Sequence, residues 1–521
     1  MCSGDNCKNQ AGFMKYFHIF CRPLPSPRNG STTSSLSFLL NATLFTLLVS
    51  LGGLFPLTKV WAWEVNTHRE LTEQTITIKE AELNTYLINN LGLEQGLDTS
   101  VKGGIPRELM IQGSDSEDEI PRFLRHFHEP ITNLGLLKGT FDSSINWSLR
   151  AKGDQEWSWN DAREYYFKAL TSETKAERDI YWGKTFRALG QVMHLLQDSA
   201  NPSHVRDDLH PFDDGLHDFM ARRSVGSFIG SGIFSPDPSM LEKAGSAGPN
   251  NEPFANLFDR DMYQGAAPEV TLGTDIGVTE YTNANFFSDD TIPGQGQFLS
   301  TPLPNPTVAE LVPAPVPSPY LTLPRLGSAA FPGARAAKLT GNQAVAKFLL
   351  TNTNLDLLGQ LQLDDAVYDA QAQHLIPRAV GYSAAVLTYF FRPQFPLEPG
   401  PQDFGVAGRN DPGTGVCGSP PLFPFGGLSI GLTIPPALNF DGTVSVYYEK
   451  PDGTRVLVGE GPNPPAGQEF FYGGTFPHAG LDLGQPVRWS VVFKGKTGPG
   501  EQEQEAILAN TGEAEWKWIC E

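Results

Sequence analysis

His194, Asp198 and His204 carry side chains that can hold a cation, and their spacing brings them together. In the run Tyr181–Asp198, Phe186, Leu189, Met193 and Leu196 recur at three- and four-residue steps, which predicts a helix. His194 and Asp198, four residues apart, then leave one helix face a single turn from each other. Pro202 ends the helix, and the chain turns to present His204 close behind. Two imidazoles and a carboxylate converging on one point suit a borderline cation such as zinc. A His and an Asp alone on a helix face are more often a hydrogen-bonded pair, so the other histidines and acids decide between the two readings.

The elements that must position this group are mostly helical. Trp63 to about Leu93 reads as a helix, and a loop with Gly103, Gly104 and Pro106 leads to the acidic run Gly113–Glu119 and then to Arg122–Pro130 with His126 and His128. Asn160 or Asp161 is placed to cap a helix through Leu170. Between about residues 226 and 338 helical periodicity is lost and Pro and Gly accumulate. This predicts an irregular insertion, either a flap over the site or an ordered, inert loop. Helical patterning returns over Asn342–Leu350 and Ala366–Phe391, the latter kinked or split at Pro377. After a Gly/Pro linker at 394–420 the pattern changes to strands. Thr443–Tyr448, the turn Pro451-Asp452-Gly453 and Arg455–Val458 form a hairpin signal, and Val487–Phe493 is a further strand. Residues 421–521 are therefore expected to form a small β-sandwich.

The chain has 521 residues and a formal net charge of −20, enough length for two domains and a leader. That charge argues against a protein that wraps nucleic acid by electrostatics alone, and no stable nucleic-acid partner is expected. It leaves a nuclease open, because bound cations reverse the local field. Leu36–Phe55 is apolar, with Lys15, Arg22 and Arg28 before it and Val60-Trp61-Ala62 after it. Residues 1–62 thus read as a secretory signal peptide cleaved after Ala62, the alternative being an uncleaved anchor. A secreted or periplasmic protein is expected. Beyond the leader only Cys417 and Cys520 remain, either bridged or free, and neither has zinc-finger spacing.

With these residues in place, His194-x3-Asp198-x5-His204 resembles the core motif of the zinc-dependent phospholipase C and fungal single-strand nuclease superfamily. In that superfamily the mature N-terminal residue is a Trp whose amine and carbonyl bind metal, a role Trp63 fits after cleavage. His68 stands five residues on, the interval of the nuclease branch, and Glu117-Asp118 and His126-Phe127 look like the Asp and His-Phe ligands that follow. The resemblance covers roughly Trp63–Arg222 and the Ala379–Phe391 helix. It implies a mainly α catalytic domain, a phospholipase C/nuclease-like helical bundle over 63–393, ahead of the small C-terminal β-sandwich domain.

Carried over by position, it implies two or three zinc ions. One would be held by Asp118, His126, His194 and Asp198, and a second by Trp63, His68 and the bridging Asp198. A third would use His204 with Asp213 and His217, better placed but reversed from the superfamily's His-x3-acid order, or with His210 and Asp214, which keep that order but follow His204 very closely. Asp115, Asp207, Asp208 and His128 read as supporting or surface groups. Zinc in such a site lowers the pKa of a bound water to about 7, and Asp118 orients or deprotonates that water. There is no Gly-rich phosphate loop and no Gly-x-Ser-x-Gly elbow. The implied function is an exported zinc phosphodiesterase of phospholipase C type acting on phospholipid head groups, with peripheral membrane contact through the β-domain, as in clostridial membrane-active members. A single-strand nuclease or 3'-nucleotidase is the first alternative, favoured by the Trp63–His68 interval, and a non-catalytic binding protein that keeps the fold is the second.

Overall fold

The computed structural model describes residues 65–210, 215–230, 232–292, 303–314, 318–327, 334–339, 361–391, 401–408, 425–433, 439–462, 469–477, 486–498, 506–515 and 517–520. The proposed leader and its cleavage site, Trp63, Asp213, Asp214, the expected helix Asn342–Leu350 and Cys417 lie outside these residues. The architecture is a mainly helical domain followed by two antiparallel-rich sheets. Among the described residues, no helix is long and apolar enough to cross a membrane.

Among the described residues, the helices that frame the first domain include α1 (Val65–Asn89), α2 (Pro106–Ser116), α3 (Trp159–Thr171), α4 (Lys175–Asp198), α5 (Gly215–Met220), α6 (Val278–Asn285) and α7 (Asp365–Phe391). α4 begins six residues before the periodic run that announced it, because Thr174 caps it and Glu177 closes a capping box. Ser158 caps α3, not Asn160 or Asp161; Asp161 is the acid that reaches back to the Ser158 backbone. α7 runs through Pro377 as one helix, neither split nor ended there. The chain packs around α4, which is buried at every position from Ala188 to Asp198. A polar group on that stretch is shut away from water and must find partners inside the protein.

Two glycines let α2 approach α4 at backbone distance. A methyl group at Gly190 would overlap the Met110 carbonyl, and one at Gly113 would overlap the Arg187 carbonyl. This crossing carries the Ser114 carbonyl to His194 and sets the start of the segment that bears Asp118.

The described residues of the Pro/Gly-rich stretch form short 3-10 turns, short helices and short strands, and they are walls of the core. Phe254, Leu257, Phe258 and Tyr281 belong to the same apolar cluster as α4. Arg206, buried, donates to Thr291 Oγ1 at 2.7 Å and to the carbonyls of Asn283 and Asn305 at 2.5 and 3.0 Å. Asn283 in turn donates to the Val205 carbonyl at 2.6 Å. The insertion is thereby tied to the 3-10 turn Pro202–Val205 that carries His204. Strands β1 (Val312–Pro313), β2 (Tyr320–Leu323), β3 (Ala334–Leu339) and β4 (Leu361–Gln362) close it with a small sheet over Phe287 and Ile292.

The C-terminal strands are β5 (Pro401–Gly408), β6 (Phe425–Thr433), β7 (Asn439–Glu449), β8 (Arg455–Pro462), β9 (Glu469–Pro477), β10 (Pro486–Gly498), β11 (Ala506–Glu515) and β12 (Lys517–Cys520). They form sheets of order β11-β10-β7-β8 and β12-β5-β6-β9, so the stretch read as linker contains a strand. The β7–β8 hairpin turns where Pro451-Asp452-Gly453 predicted, with Gly453 at φ +81°.

The inner strands β7 and β10 of the β11-β10-β7-β8 sheet are buried on both faces. Val444, Val446, Tyr448, Trp489, Val491 and Phe493 alternate with Tyr447 and Val492, which join Ile507 and Ala509 in the helical core. Glu449 pairs with Arg178 of α4 at 2.8 Å and with Arg455 at 3.1 Å. The Arg455 amide donates to the Glu173 carbonyl at 2.8 Å.

Candidate metal centre

Five elements converge on the buried end of α4. α1 supplies His68; the turn after α2 supplies Asp118, and the 3-10 turn Arg122–Arg125 leads into His126. α4 supplies His194 and Asp198, and Pro202–Val205 supplies His204. All six side chains are buried, four of them completely.

Asp198 is the hub. Its Oδ1 lies 3.2 Å from His68 Nε2, and its Oδ2 lies 2.8 Å from His126 Nδ1, 3.1 Å from His194 Nε2 and 3.7 Å from His204 Nδ1. Asp118 Oδ1 is 3.5 Å from His194 Nε2 and 3.7 Å from His126 Nδ1. His194 Nε2 and His126 Nδ1 are themselves 3.3 Å apart, and the His68 and His194 rings stack at 3.6 Å. Among the described residues, the oxygens of Asp118 and Asp198 meet no hydroxyl, amide or guanidinium donor; imidazole nitrogens face them.

The outward nitrogens define the inward ones. His68 Nδ1 donates to Gln197 Oε1 at 2.8 Å, and His194 Nδ1 donates to the Ser114 carbonyl at 2.7 Å. In the neutral ring each Nε2 is then a lone pair aimed at a carboxylate oxygen. Two lone pairs held this close in a dry site repel unless a positive charge lies between them. Donors about 2.0–2.1 Å from one tetrahedral zinc must be about 3.3 Å from each other, which is the His194–His126 spacing and close to the His–Asp198 spacings. His68, Asp118 and His194 form one set able to share a cation, and His126, His194 and Asp198 form another. The donor set fits zinc.

Electrostatics follow the same geometry. Burial would raise the Asp198 carboxyl, but His204, His194, His68 and His126 outweigh it and hold Asp198 well below the usual carboxylate range. Asp118 is lowered against its own burial by His194, His126 and His68. Burial would lower His194, but Asp118 and Asp198 push it well above its ordinary value. His68 goes the other way, lowered by burial and by His194.

For the third metal, the ring of His210 lies 5.0 Å from that of His204, which stacks on Phe127 at 4.4 Å. His217 sits on α5 with its Nδ1 3.7 Å from Asp218 Oδ1. Their proposed acid partners, Asp213 and Asp214, lie outside the described residues.

The remaining acids and His128 have other partners. Asp115 pairs with Arg69 at 2.5 Å, and His128 Nε2 lies 2.8 Å from Asp259 Oδ2. Asp207 accepts the backbone amides of Leu137 and Lys138 at 2.7 and 3.1 Å, and Asp208 Oδ2 accepts the Asp290 amide at 3.1 Å.

Three supporting groups escaped the sequence reading of roles: Gln197, the Ser114 carbonyl and Glu117. Gln197 held a local clue, lying next to Asp198 on a helix whose neighbours are apolar, yet its partner is 129 residues away. Its amide is fixed in turn by donation to Thr72 Oγ1 at 3.1 Å.

No known sequence family matches the chain, and no curated protein does. Among solved structures it is similar to the alpha toxin from Clostridium absonum, at 13% identity and a TM-score of 0.28, covering 86% of this chain and 94% of that one. The alpha-toxin of Clostridium perfringens from an avian strain aligns at 13% identity and a TM-score of 0.23, over 86% of this chain and 97% of its own length.

Proposed function

We propose that the protein is an exported zinc-dependent phosphoric ester hydrolase of phospholipase C type. The observation that carries this reading is the buried group of His68, Asp118, His126, His194 and Asp198, whose donor atoms lie close enough together to share a cation. His194 and Asp198 would hold it with Asp118 and His126 on one side and with His68 on the other, and Trp63 and His204 would extend the set. Zinc held there supplies Lewis acidity, which acidifies a water nucleophile and offsets negative charge on phosphate oxygens.

The chain's own groups do the rest. Asp198 faces imidazoles through both oxygens and so keeps the two sets of ligands in register. Gln197 and the Ser114 carbonyl hold the outer protons of His68 and His194, which keeps Nε2 free to donate a lone pair. Asp118, held ionised by three imidazoles, is an acceptor that orients a water proton; its low proton affinity suits orientation better than abstraction.

Phospholipid is the preferred substrate class because a β-sandwich follows the helical domain and would offer a second surface to a bilayer. That module is tied to α4 through Glu449, which pairs with Arg178 of α4 and with Arg455. The short Trp63–His68 interval favours the second reading, a single-strand nuclease. Zinc-loaded protein is given phosphatidylcholine micelles and, separately, single-stranded DNA. Diacylglycerol release without DNA cleavage supports the first reading, DNA cleavage without lipid hydrolysis supports the second, and inertness toward both contradicts a hydrolase.

A further inference from the structure

Glu117 precedes the proposed ligand Asp118 and is completely buried, yet it faces away from the ligand cluster's carboxylates. Its two oxygens are divided between different partners. Oε2 accepts from Arg122 Nη2 at 2.6 Å and Nε at 2.9 Å, and Oε1 accepts the indole N–H of Trp147 at 2.8 Å. Arg122 is itself fixed by donating to Gln155 Oε1 at 2.7 Å and by lying over the Trp147 ring at 5.0 Å. A carboxylate gripped on both oxygens in a dry pocket is held in one position.

The group beyond this clamp is His126. Its Nδ1 faces Asp198 and Asp118, and its Nε2 points the other way, 3.9 Å from Glu117 Oε1. That Nε2 is buried and has no hydrogen-bond partner among the described residues. His126 thus differs from His68 and His194, whose outer nitrogens are engaged directly by Gln197 and by the Ser114 carbonyl.

We infer that Glu117 is a positioning residue of the metal centre: its carboxylate, anchored by Trp147 and Arg122, sets a fixed negative charge 3.9 Å behind His126 Nε2, which favours the proton on that nitrogen so that Nδ1 presents its lone pair to the cation. This rests on the metal reading above. A fixed negative charge behind an imidazole selects its tautomer, orients the ring and raises its basicity as a ligand, and loss of such a partner weakens metal binding about 10–100-fold. Glu117 touches neither substrate nor metal in this role. If it served only to neutralise Arg122, replacing it would lower stability and leave metal binding unchanged.

The test measures zinc affinity by competition with a chromophoric chelator, together with the visible spectrum of the cobalt-substituted protein, for wild type, Glu117→Gln and Trp147→Phe. Glu117→Gln is expected to lose about 10–100-fold in zinc affinity and to shift the cobalt bands, with Trp147→Phe changing both in the same direction by less. Should Glu117→Gln not fold, the shift in Trp147→Phe decides. Wild-type affinity and an unchanged cobalt spectrum in the folded variants would overturn the role of Glu117 while leaving the metal centre standing. A wild type that binds no zinc would overturn the metal reading itself.

Discussion

Gln197 Oε1 accepts a hydrogen bond from His68 Nδ1 at 2.8 Å, and that bond decides which nitrogen of His68 faces Asp198. The amide cannot rotate to offer its N–H instead, because Nε2 of Gln197 is committed to Thr72 Oγ1 at 3.1 Å. Gln197→Leu removes the acceptor at nearly the same volume, leaving the buried imidazole free to take either tautomer. Zinc affinity, measured by calorimetry, is expected to fall about 10–100-fold. Affinity equal to wild type would show that His68 needs no such support.

His194→Ala removes the imidazole that both ligand sets share. Asp118 and Asp198 then lose one of the two imidazoles they share, the other being His126, in a site closed to water. The metal-free protein is expected to lose about 3 kcal/mol or more in urea unfolding at neutral pH. Phosphodiesterase activity should drop to background because the shared metal position is lost. Full activity in this variant would refute the ligand assignment.

Metal binding and pH are linked through the same residue. The neighbouring carboxylates keep a proton on His194 to a pH well above its ordinary value, and that proton must leave before Nε2 can bind a metal. Zinc affinity is therefore expected to rise with pH, by about tenfold per unit for each proton displaced, until pH passes the His194 value. For folding of the metal-free chain the signs differ between partners. His194, with a raised value, contributes stability that is fully present below its unfolded value and is lost as pH rises through the folded one. Asp198, with a depressed value, contributes stability present above its unfolded value and lost as pH falls through the folded one. Calorimetry in two buffers of different ionisation enthalpy reads the proton release directly; zinc binding with no proton release would contradict it.

Gly190 tests the helix crossing that carries the site. Gly190→Ala sets a methyl group against the Met110 carbonyl and pushes α2 off α4. The expected loss is about 3 kcal/mol, together with weaker zinc binding as the Ser114 carbonyl moves away from His194. Unchanged stability would mean that the two backbones do not approach this closely.

The motif around His194 was legible because its geometry is local: four residues on a helix and a proline turn fix where His194, Asp198 and His204 go. The β7–β8 hairpin was legible for the same reason, its turn residues lying beside the strands they join. Support from a distance was not. Glu117 reads as one more acid in a run of acids until Trp147, 30 residues on, is seen to hold it. Ser158 shares its capping chemistry with nearby Asn160 and Asp161, and only the position of Asp161 at the third helical residue marks Ser158 as the cap. The insertion showed its irregular backbone in its Pro and Gly content, but the burial of α6 depends on Arg206 and Val205, far away in the chain.

The β-sandwich and the helical domain share a core through Tyr447, Val492, Ile507 and Ala509, and Glu449 ties Arg178 to Arg455 at the seam. Both guanidinium groups are nearly buried, so Glu449→Gln leaves two cations short of a counter-charge. One calorimetric transition is expected for the whole protein, with Glu449→Gln lowering its stability by about 2–3 kcal/mol. Two separate transitions would show that the domains fold independently.

Metal content of the purified protein tests the cation centre most directly. After supplementation with zinc and gel filtration, elemental analysis is expected to find more than one equivalent of zinc per wild-type chain and a loss of most of it in His194→Ala. Wild-type protein that is folded yet retains no stoichiometric metal would contradict the account.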